Sequence, residues 1–345
     1  MVCSSVRSLA ACGLLAGLVS LSGVASAQVS FTWATVGNAG NAADPLNSGA
    51  VPGIGSVGYE YRIATTEVTN AQYTAFLNAV DPTGSNPNAV YNQSMTSNAR
   101  GGINFNSGAA NGSKYSVKPN MGNKPVNFVS WYDATRFANW MTNGQPVGGG
   151  GTETGVYTLT GPTSISSINR SLGDPTHVFI PTENEWYKAA YHQPASQGGD
   201  VDDYWLYPTG SNSVPTIATA NLVGDISNPG ANVANYLFGA GWNSENGNVT
   251  TVGSASPLSA SFYGTFDQSG NVWEWSETPI GSNRVLRGGS WSSGESSLRS
   301  SSRIDDVPTS EFSNVGFRLA NPVPEPTTLV LLGLSGLILR RNQKR

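Results

Sequence analysis

Both cysteines of this 345-residue chain, Cys3 and Cys12, fall within its first twelve residues. Everything downstream must fold without a disulfide, and it offers no thiolate as nucleophile or metal ligand. The chain carries 41 Gly and 20 Pro with only 12% charged residues, which favours a loop-rich polar body over a helical bundle. Nine Trp, thirteen Tyr and eleven Phe supply the apolar mass of a core, so the body is not a disordered segment.

The two cysteines lie in what reads as a secretory signal. "MVCSSVR" is a short positive region, "LAACGLLAGLVSLSGVA" an apolar run, and Ala25-Ser26-Ala27 an A-x-A cleavage site. The lipoprotein-like box "LAAC" precedes the apolar run instead of following it, so cleavage after Ala27 by signal peptidase is the expectation. At the other end, "VPEP" is followed by "TTLVLLGLSGLIL" and then "RRNQKR". A helix over that apolar run would be about 20 Å long against a hydrocarbon core of roughly 30 Å, short for a permanent transmembrane helix and suited to a transient membrane anchor. The order of parts, with Pro324, Glu325 and Pro326 before the run and Arg340 and Arg341 after it, resembles a PEP-CTERM sorting signal. That resemblance implies a Gram-negative bacterium, export across its inner membrane, processing by an exosortase and delivery to the cell surface or extracellular matrix. An ordinary single-pass tail is the alternative.

Between these ends, Gln28 to Pro326 holds thirteen Lys and Arg against all twenty-two Asp and Glu, a net charge of −9. This argues against nucleic acid as a partner and, in an exported protein, suits calcium.

Four segments are expected: the signal peptide at 1–27, a lead-in at 28–58, the main body at 59–320 and the sorting segment at 321–345. "YEYRIATTEVT" alternates as a strand does, and Thr69 is placed to cap a helix over "NAQYTAFLNAV". The polar stretch from Asp81 to Asn123 reads as surface loops, and Val126 to Val129 as a strand. A second helix begins at Ser130 or Asp133, with Trp131, Phe137 and Trp140 facing a core. "GVYTLT" and "HVFI" read as strands, and Thr182 with Glu185 forms a capping box for a third helix. Short strands and turns fill the remainder, so the fold class is a single α+β body with few helices.

"GTFDQSGNVWEWSE" is the most informative stretch. The carboxylates of Asp267 and Glu274 and the carbonyls of Gly270 and Val272 could close on one hard cation. The plainer reading is a turn into a short strand, with Trp273 and Trp275 packing on either side.

"EVTNAQYTAFLNA", "PVNFVSWYDATRFANW", "IPTENEWYKAAY", "ANY", "GNVWEW", "RVLRGGSW" and "NVGFRLA" follow one another here. In that order they resemble the formylglycine-generating enzyme, or sulfatase-modifying factor, family over roughly Tyr59 to Ala320. The resemblance implies a loop-rich variant of the C-type-lectin architecture. It implies structural calcium at Asp267, Gly270, Val272 and Glu274, Asp267 standing where well-known members have Asn. It also implies a second calcium site beginning at Asn235 and the carbonyl of Tyr236, with further ligands around Gly247 to Thr250, where the family's Asp is not evident.

Members that make formylglycine oxidise a sulfatase cysteine with copper held by two thiolates just beyond "RGGS". Here the first thiolate position falls near Ser293, and the second falls among serines such as Ser296 and Ser297. A serine hydroxyl is a hard, undissociated donor that cannot replace a thiolate toward Cu(I), so no copper and no formylglycine chemistry are expected. Some relatives are iron-dependent sulfoxide synthases with a histidine-bearing helical domain, whereas this sequence has only His177 and His192. Arg287, Arg299, Arg303 and Arg318 are expected to pair with carboxylates in the interior, or otherwise to grasp an anionic ligand. The function expected is a non-catalytic, surface-associated module binding an extracellular polysaccharide or a surface protein. The alternative is an enzyme with a cysteine-independent mechanism, working in a cleft with Trp273, Ser290 and Trp291.

Overall fold

The computed structural model describes residues 28–47 and 49–323. The expected signal peptide lies outside the described residues, and so does the sorting segment with Pro324, Glu325, Pro326, Arg340 and Arg341. No helix among the described residues is long and apolar enough to cross a membrane.

Three helices begin in the same way. α1 (Asn70–Val80), α3 (Trp131–Thr142) and α4 (Glu183–Tyr191) each start behind a hydroxyl N-cap: Thr69, Ser130 and Thr182. Each hydroxyl accepts the backbone N–H three residues on, and Gln72, Asp133 or Glu185 accepts the cap N–H in return. A capping interaction of this kind stabilises a helix by about 1 kcal/mol. The short α2 (Ser94–Ser97) has no side-chain cap.

The helices bury aromatic faces together. Tyr73 and Phe76 of α1 meet Phe137 and Trp140 of α3, and Phe317 closes the group from the C-terminal segment. Against this core lies a three-stranded antiparallel sheet in the order Trp33–Val36, Tyr61–Ala64, Ala320–Pro322. Residues 33–36 therefore join the same body as the segment after residue 59, and the last strand pairs with Tyr61–Ala64 on the side opposite Trp33–Val36.

A second sheet positions the site. Its order is Ile304–Asp306, Asn283–Arg287, Trp273–Ile280, Val315–Gly316, the last pair parallel. Leu286 stands opposite Trp275, and Arg287 opposite Glu274. Trp273 and Trp275, two apart in one strand, both enter the main apolar cluster and do not pack on opposite sides. Trp275 Nε1 donates to the Val129 carbonyl at 3.0 Å, and Trp131 Nε1 to that of Ser276 at 3.1 Å, tying this strand to the start of α3.

Two expected strands are absent. Val126 to Val129 is irregular: its amides donate to distant carbonyls, Val126 to Val68 and Phe128 to Phe312, and Phe128 takes a left-handed φ of 56°. "HVFI" reduces to one bridge, Phe179 to Ala320. The stretch from Asp81 to Asn123 is more ordered than a run of loops, because it holds α2 and the hairpin Ile103–Phe105 with Tyr115–Val117.

Candidate functional site

The segment after Arg287 is held by its own hydroxyls. Ser290 is fully buried; its amide donates to Ser293 Oγ at 3.0 Å, and the two hydroxyls lie 3.0 Å apart. Ser292 Oγ lies 3.2 Å from Ser290 Oγ, and Asn314 Nδ2 reaches both at 3.4 Å. The Asn314 carbonyl accepts the Trp273 amide, which brings Trp273 and Ser290 onto one residue. Trp291 donates its ring N–H to Ser313, lies 4.2 Å below the Arg100 guanidinium and meets the edge of Phe238. The structure thus brings Trp273, Ser290, Trp291 and Ser293 into one neighbourhood. Ser296 and Ser297 sit apart in the 3-10 turn Glu295–Leu298, and Ser296 is exposed.

Opposite this segment, Leu237 and Phe238 both adopt left-handed backbone, φ 51° and 59°. Their amides donate to the carbonyls of Ser293 and Trp291, and both side chains remain partly exposed. Strained backbone of this kind persists only where its surroundings enforce it.

Asp267 and Glu274 are oriented differently from a bare pair of ligands. Arg318, fully buried, donates Nε to Glu274 Oε2 and Nη2 to Oε1, both at 2.6 Å, while Trp186 Nε1 adds a bond to Oε2 at 2.8 Å. Glu274 is therefore committed to a guanidinium and an indole. One Asp267 oxygen accepts the Gly253 amide at 2.6 Å. Asp267 and the buried Ser269, whose hydroxyl has no partner, line a void of about 10 Å³, room for one water. The turn between the two acids takes left-handed backbone at Asp267, Gly270 and Asn271.

Glu67, the first residue of "EVTNAQYTAFLNA", completes the group, although that motif assigned it no role. It is fully buried before the Thr69 cap; Oε1 accepts Asn271 Nδ2 at 3.0 Å, and Oε2 has no partner. Desolvation, then the charge of Asp267, pushes the Glu67 carboxyl well above the usual range, with Arg318 opposing. Desolvation likewise raises Asp267 to about 6. Three acids, Glu67, Asp267 and Glu274, thus surround one arginine.

Beside them is an oxygen-lined cage. Asn235 Nδ2 faces the Asn248 carbonyl at 2.9 Å, Thr250 Oγ1 at 3.2 Å and Asn271 Oδ1 at 3.2 Å, while Asn235 Oδ1 is buried without a partner. These donors suit a hard cation. The Tyr236 carbonyl, by contrast, accepts the Gly239 amide.

All four arginines pair with carboxylates, Arg287 and Arg318 in the interior as anticipated but Arg299 at the exposed surface. Besides Arg318, Arg287 and Arg303 both contact Glu183, at 2.5 and 2.6 Å, and Arg299 contacts Glu295 at 2.5 Å. His192 caps α4, its Nδ1 2.8 Å from the Tyr263 hydroxyl and its Nε2 3.3 Å from Asn38 Nδ2. His177 Nδ1 accepts the Ser171 amide, and Nε2 approaches Asp174. Both rings are engaged away from the serine segment. An open groove of about 460 Å³ lies elsewhere, lined by Asn78, Pro82, Asn111, Ser113 and Val147 with no charged side chain.

A profile of the sulfatase-modifying factor enzyme 1-like domain matches residues 41–323. Hercynine oxygenase of Mycolicibacterium thermoresistibile is 32% identical over 172 residues, 43% of this chain and 32% of that protein. The inactive C-alpha-formylglycine-generating enzyme 2 of Mus musculus is 31% identical over 158 residues, 43% of this chain and 44% of that protein. The chain thus spans less than half the length of these curated relatives. Among solved structures it is similar to CarF, with a TM-score of 0.48 and 23% identity, covering 85% of this chain and 99% of that one.

Proposed function

Because the chain belongs to the sulfatase-modifying factor enzyme 1-like family yet carries hydroxyls where copper chemistry needs thiolates, we propose that it binds a ligand and does not oxidise cysteine. The observation that carries this reading is Ser293, at the first thiolate position, whose hydroxyl is occupied by the Ser290 amide and hydroxyl; such a donor does not select Cu(I). An inactive formylglycine-generating enzyme among the relatives accords with it.

The proposed ligand is an extracellular polysaccharide or a surface protein, met outside a Gram-negative cell after export and C-terminal processing. The uncharged groove of Asn78, Asn111 and Ser113 suits a hydroxyl-rich chain, since amides and hydroxyls can exchange hydrogen bonds with sugars without a charge to desolvate. Calcium is proposed as a structural ion.

The test is a glycan array and matrix extract probed with the purified protein, with and without calcium. Saturable binding that Ser113→Trp abolishes supports the reading, and absence of any binding overturns it. A second reading, a cysteine-independent oxygenase, draws on the match to hercynine oxygenase. Incubation with a sulfatase peptide and copper, or with iron and thiol substrates, followed by mass spectrometry, separates the two. A changed substrate mass would establish the second.

A further inference from the structure

We propose that Lys188 and Asn38 join through an intramolecular isopeptide bond, with His192 moving the proton, so that a covalent staple ties the lead-in loop to α4.

Lys188 is fully buried on α4. Its amine makes one hydrogen bond, to the Asn38 carbonyl at 2.9 Å, and no ion pair among the described residues. Lysine is almost never fully buried unless paired, so an amine held in this way needs a reason. Desolvation lowers Lys188 to about 8, with the Glu60 charge opposing, so a share of the molecules carries the neutral, nucleophilic amine near neutral pH. A sealed amine meets no electrophile from solvent. Its reaction partner has to come from the fold itself.

Asn38 supplies one. It follows Trp33–Val36, takes a left-handed φ of 57° and closes a turn in which its carbonyl also accepts the Asn41 amide at 3.2 Å. Its carboxamide nitrogen lies 3.3 Å from Nε2 of His192, the C-cap of α4 and one turn beyond Lys188. The lysine and the histidine of one helix end therefore hold the backbone oxygen and the side-chain amide of a single asparagine. Burial keeps the His192 ring neutral. With Nε2 accepting from the carboxamide, Nδ1 carries the ring proton and donates to the Tyr263 hydroxyl at 2.8 Å.

In the step proposed, Lys188 Nζ attacks Asn38 Cγ and the Nζ–Cγ bond forms. His192 Nε2 takes the proton that Nζ sheds and returns it to Asn38 Nδ2. The Cγ–Nδ2 bond then breaks and ammonia leaves, with no oxidant or co-reactant. The amide produced is neutral, which removes the penalty of burying an amine. It links positions 150 residues apart in a body that has no cysteine beyond residue 12 from which to build a disulfide.

The experiment is intact-mass spectrometry of the purified chain followed by tryptic mapping, for the wild type, K188M, N38A and H192Q. Expected are a wild type lighter by one ammonia than its sequence requires, and a branched peptide joining residues 38 and 188. K188M and N38A keep their full mass, and H192Q links about a hundredfold more slowly, the size typical of losing a positioned proton-transfer group. Mapping separates the crosslink from ammonia lost by succinimide formation at an Asn-Gly step such as Asn246-Gly247. A wild type of full mass, or one whose Lys188 and Asn38 appear only in separate linear peptides, overturns the proposal whether or not the variants fold. Linking of H192Q at the wild-type rate overturns the role of His192 alone.

Discussion

Removing the Arg318 guanidinium should cost far more than removing the carboxylate it grips. Arg318 is fully buried, makes both of its 2.6 Å contacts with Glu274, and also donates to the carbonyls of Ala64, Thr65 and Phe266. In Arg318→Met the apolar stem stays and the charge goes. Glu67, Asp267 and Glu274 then share one interior without a cation. Breaking a buried pair from one side costs roughly 3–5 kcal/mol, and the loss of the guanidinium donors to the Ala64, Thr65 and Phe266 carbonyls places this case at the upper end. Glu274→Gln is different, because Asp267 and Glu67 still face Arg318. About 1–2 kcal/mol is expected, mainly for weakened bonds from Arg318 and Trp186. In the double variant Arg318→Met/Glu274→Met one acid leaves with the cation, so its cost should fall below the sum of the single replacements by about 2 kcal/mol. Urea unfolding at neutral pH, followed by tryptophan fluorescence with calcium held constant, measures all of these. Equal losses in Arg318→Met and Glu274→Gln, or strict additivity in the double variant, would refute the argument that this interior carries surplus negative charge.

Acid should loosen the end of α4. Burial, helped by the nearby Lys188 charge, depresses His192 to about 4. The unfolded ring takes its proton near 6.5, so between these values the unfolded state binds more protons and stability falls as the pH is lowered through that window. The loss is on the order of 1–2 kcal/mol with allowance for solvent screening, and a melting-temperature profile in which His192→Gln flattens that slope checks it. Gly270→Ala should destabilise by at least about 2 kcal/mol in denaturant titration, since the position needs a φ of 91° and a Cβ would sit 2.1 Å from the Asn235 carbonyl oxygen. Thr69→Ala should remove about 1 kcal/mol through loss of the α1 cap, read by the same titration.

What was legible in the sequence was local. α1 and α4 begin at Asn70 and Glu183, directly behind Thr69 and Thr182, because a hydroxyl three residues before a Gln or Glu satisfies the first-turn amides using nothing beyond the segment itself. Val126 to Val129 has the composition of a strand but not the partner. Its amides go to Val68 and Phe312, from two unrelated parts of the chain, and local pattern cannot anticipate that. The same limit governs the site. Spacing singled out Asp267 and Glu274, yet it could not show that Arg318 grips Glu274 from forty-four residues away, nor that Glu67 reaches Asn271 across the body. An acid buried between the apolar strand Tyr61–Ala64 and the cap of α1 was the available signal, and it needed the fold to give it meaning.

The serine segment shows why such a frame can persist without thiolates. Its geometry is held by three ties: the Ser290 amide to Ser293, the Ser293 carbonyl to Leu237, and the Trp291 amide to Asn271. Two of the three are backbone to backbone, and the third uses a hydroxyl. Where a thiolate at Ser293 would be fixed by a metal, the Ser293 hydroxyl is fixed by Ser290, and neither hydroxyl is left without a partner. The loop therefore keeps its shape without thiolates. Its link to Asn271 also joins it to the oxygen cage, so an ion held there would steady the same segment through the Trp291 amide. The serine segment and the buried Glu67 are thus connected through Asn271. Asn271→Ala, which removes the side chain that ties Asn235, Thr250 and Glu67 together, should accordingly loosen the rim of Leu237, Phe238 and Trp291 before the aromatic core around Phe137, an order that hydrogen exchange would reveal.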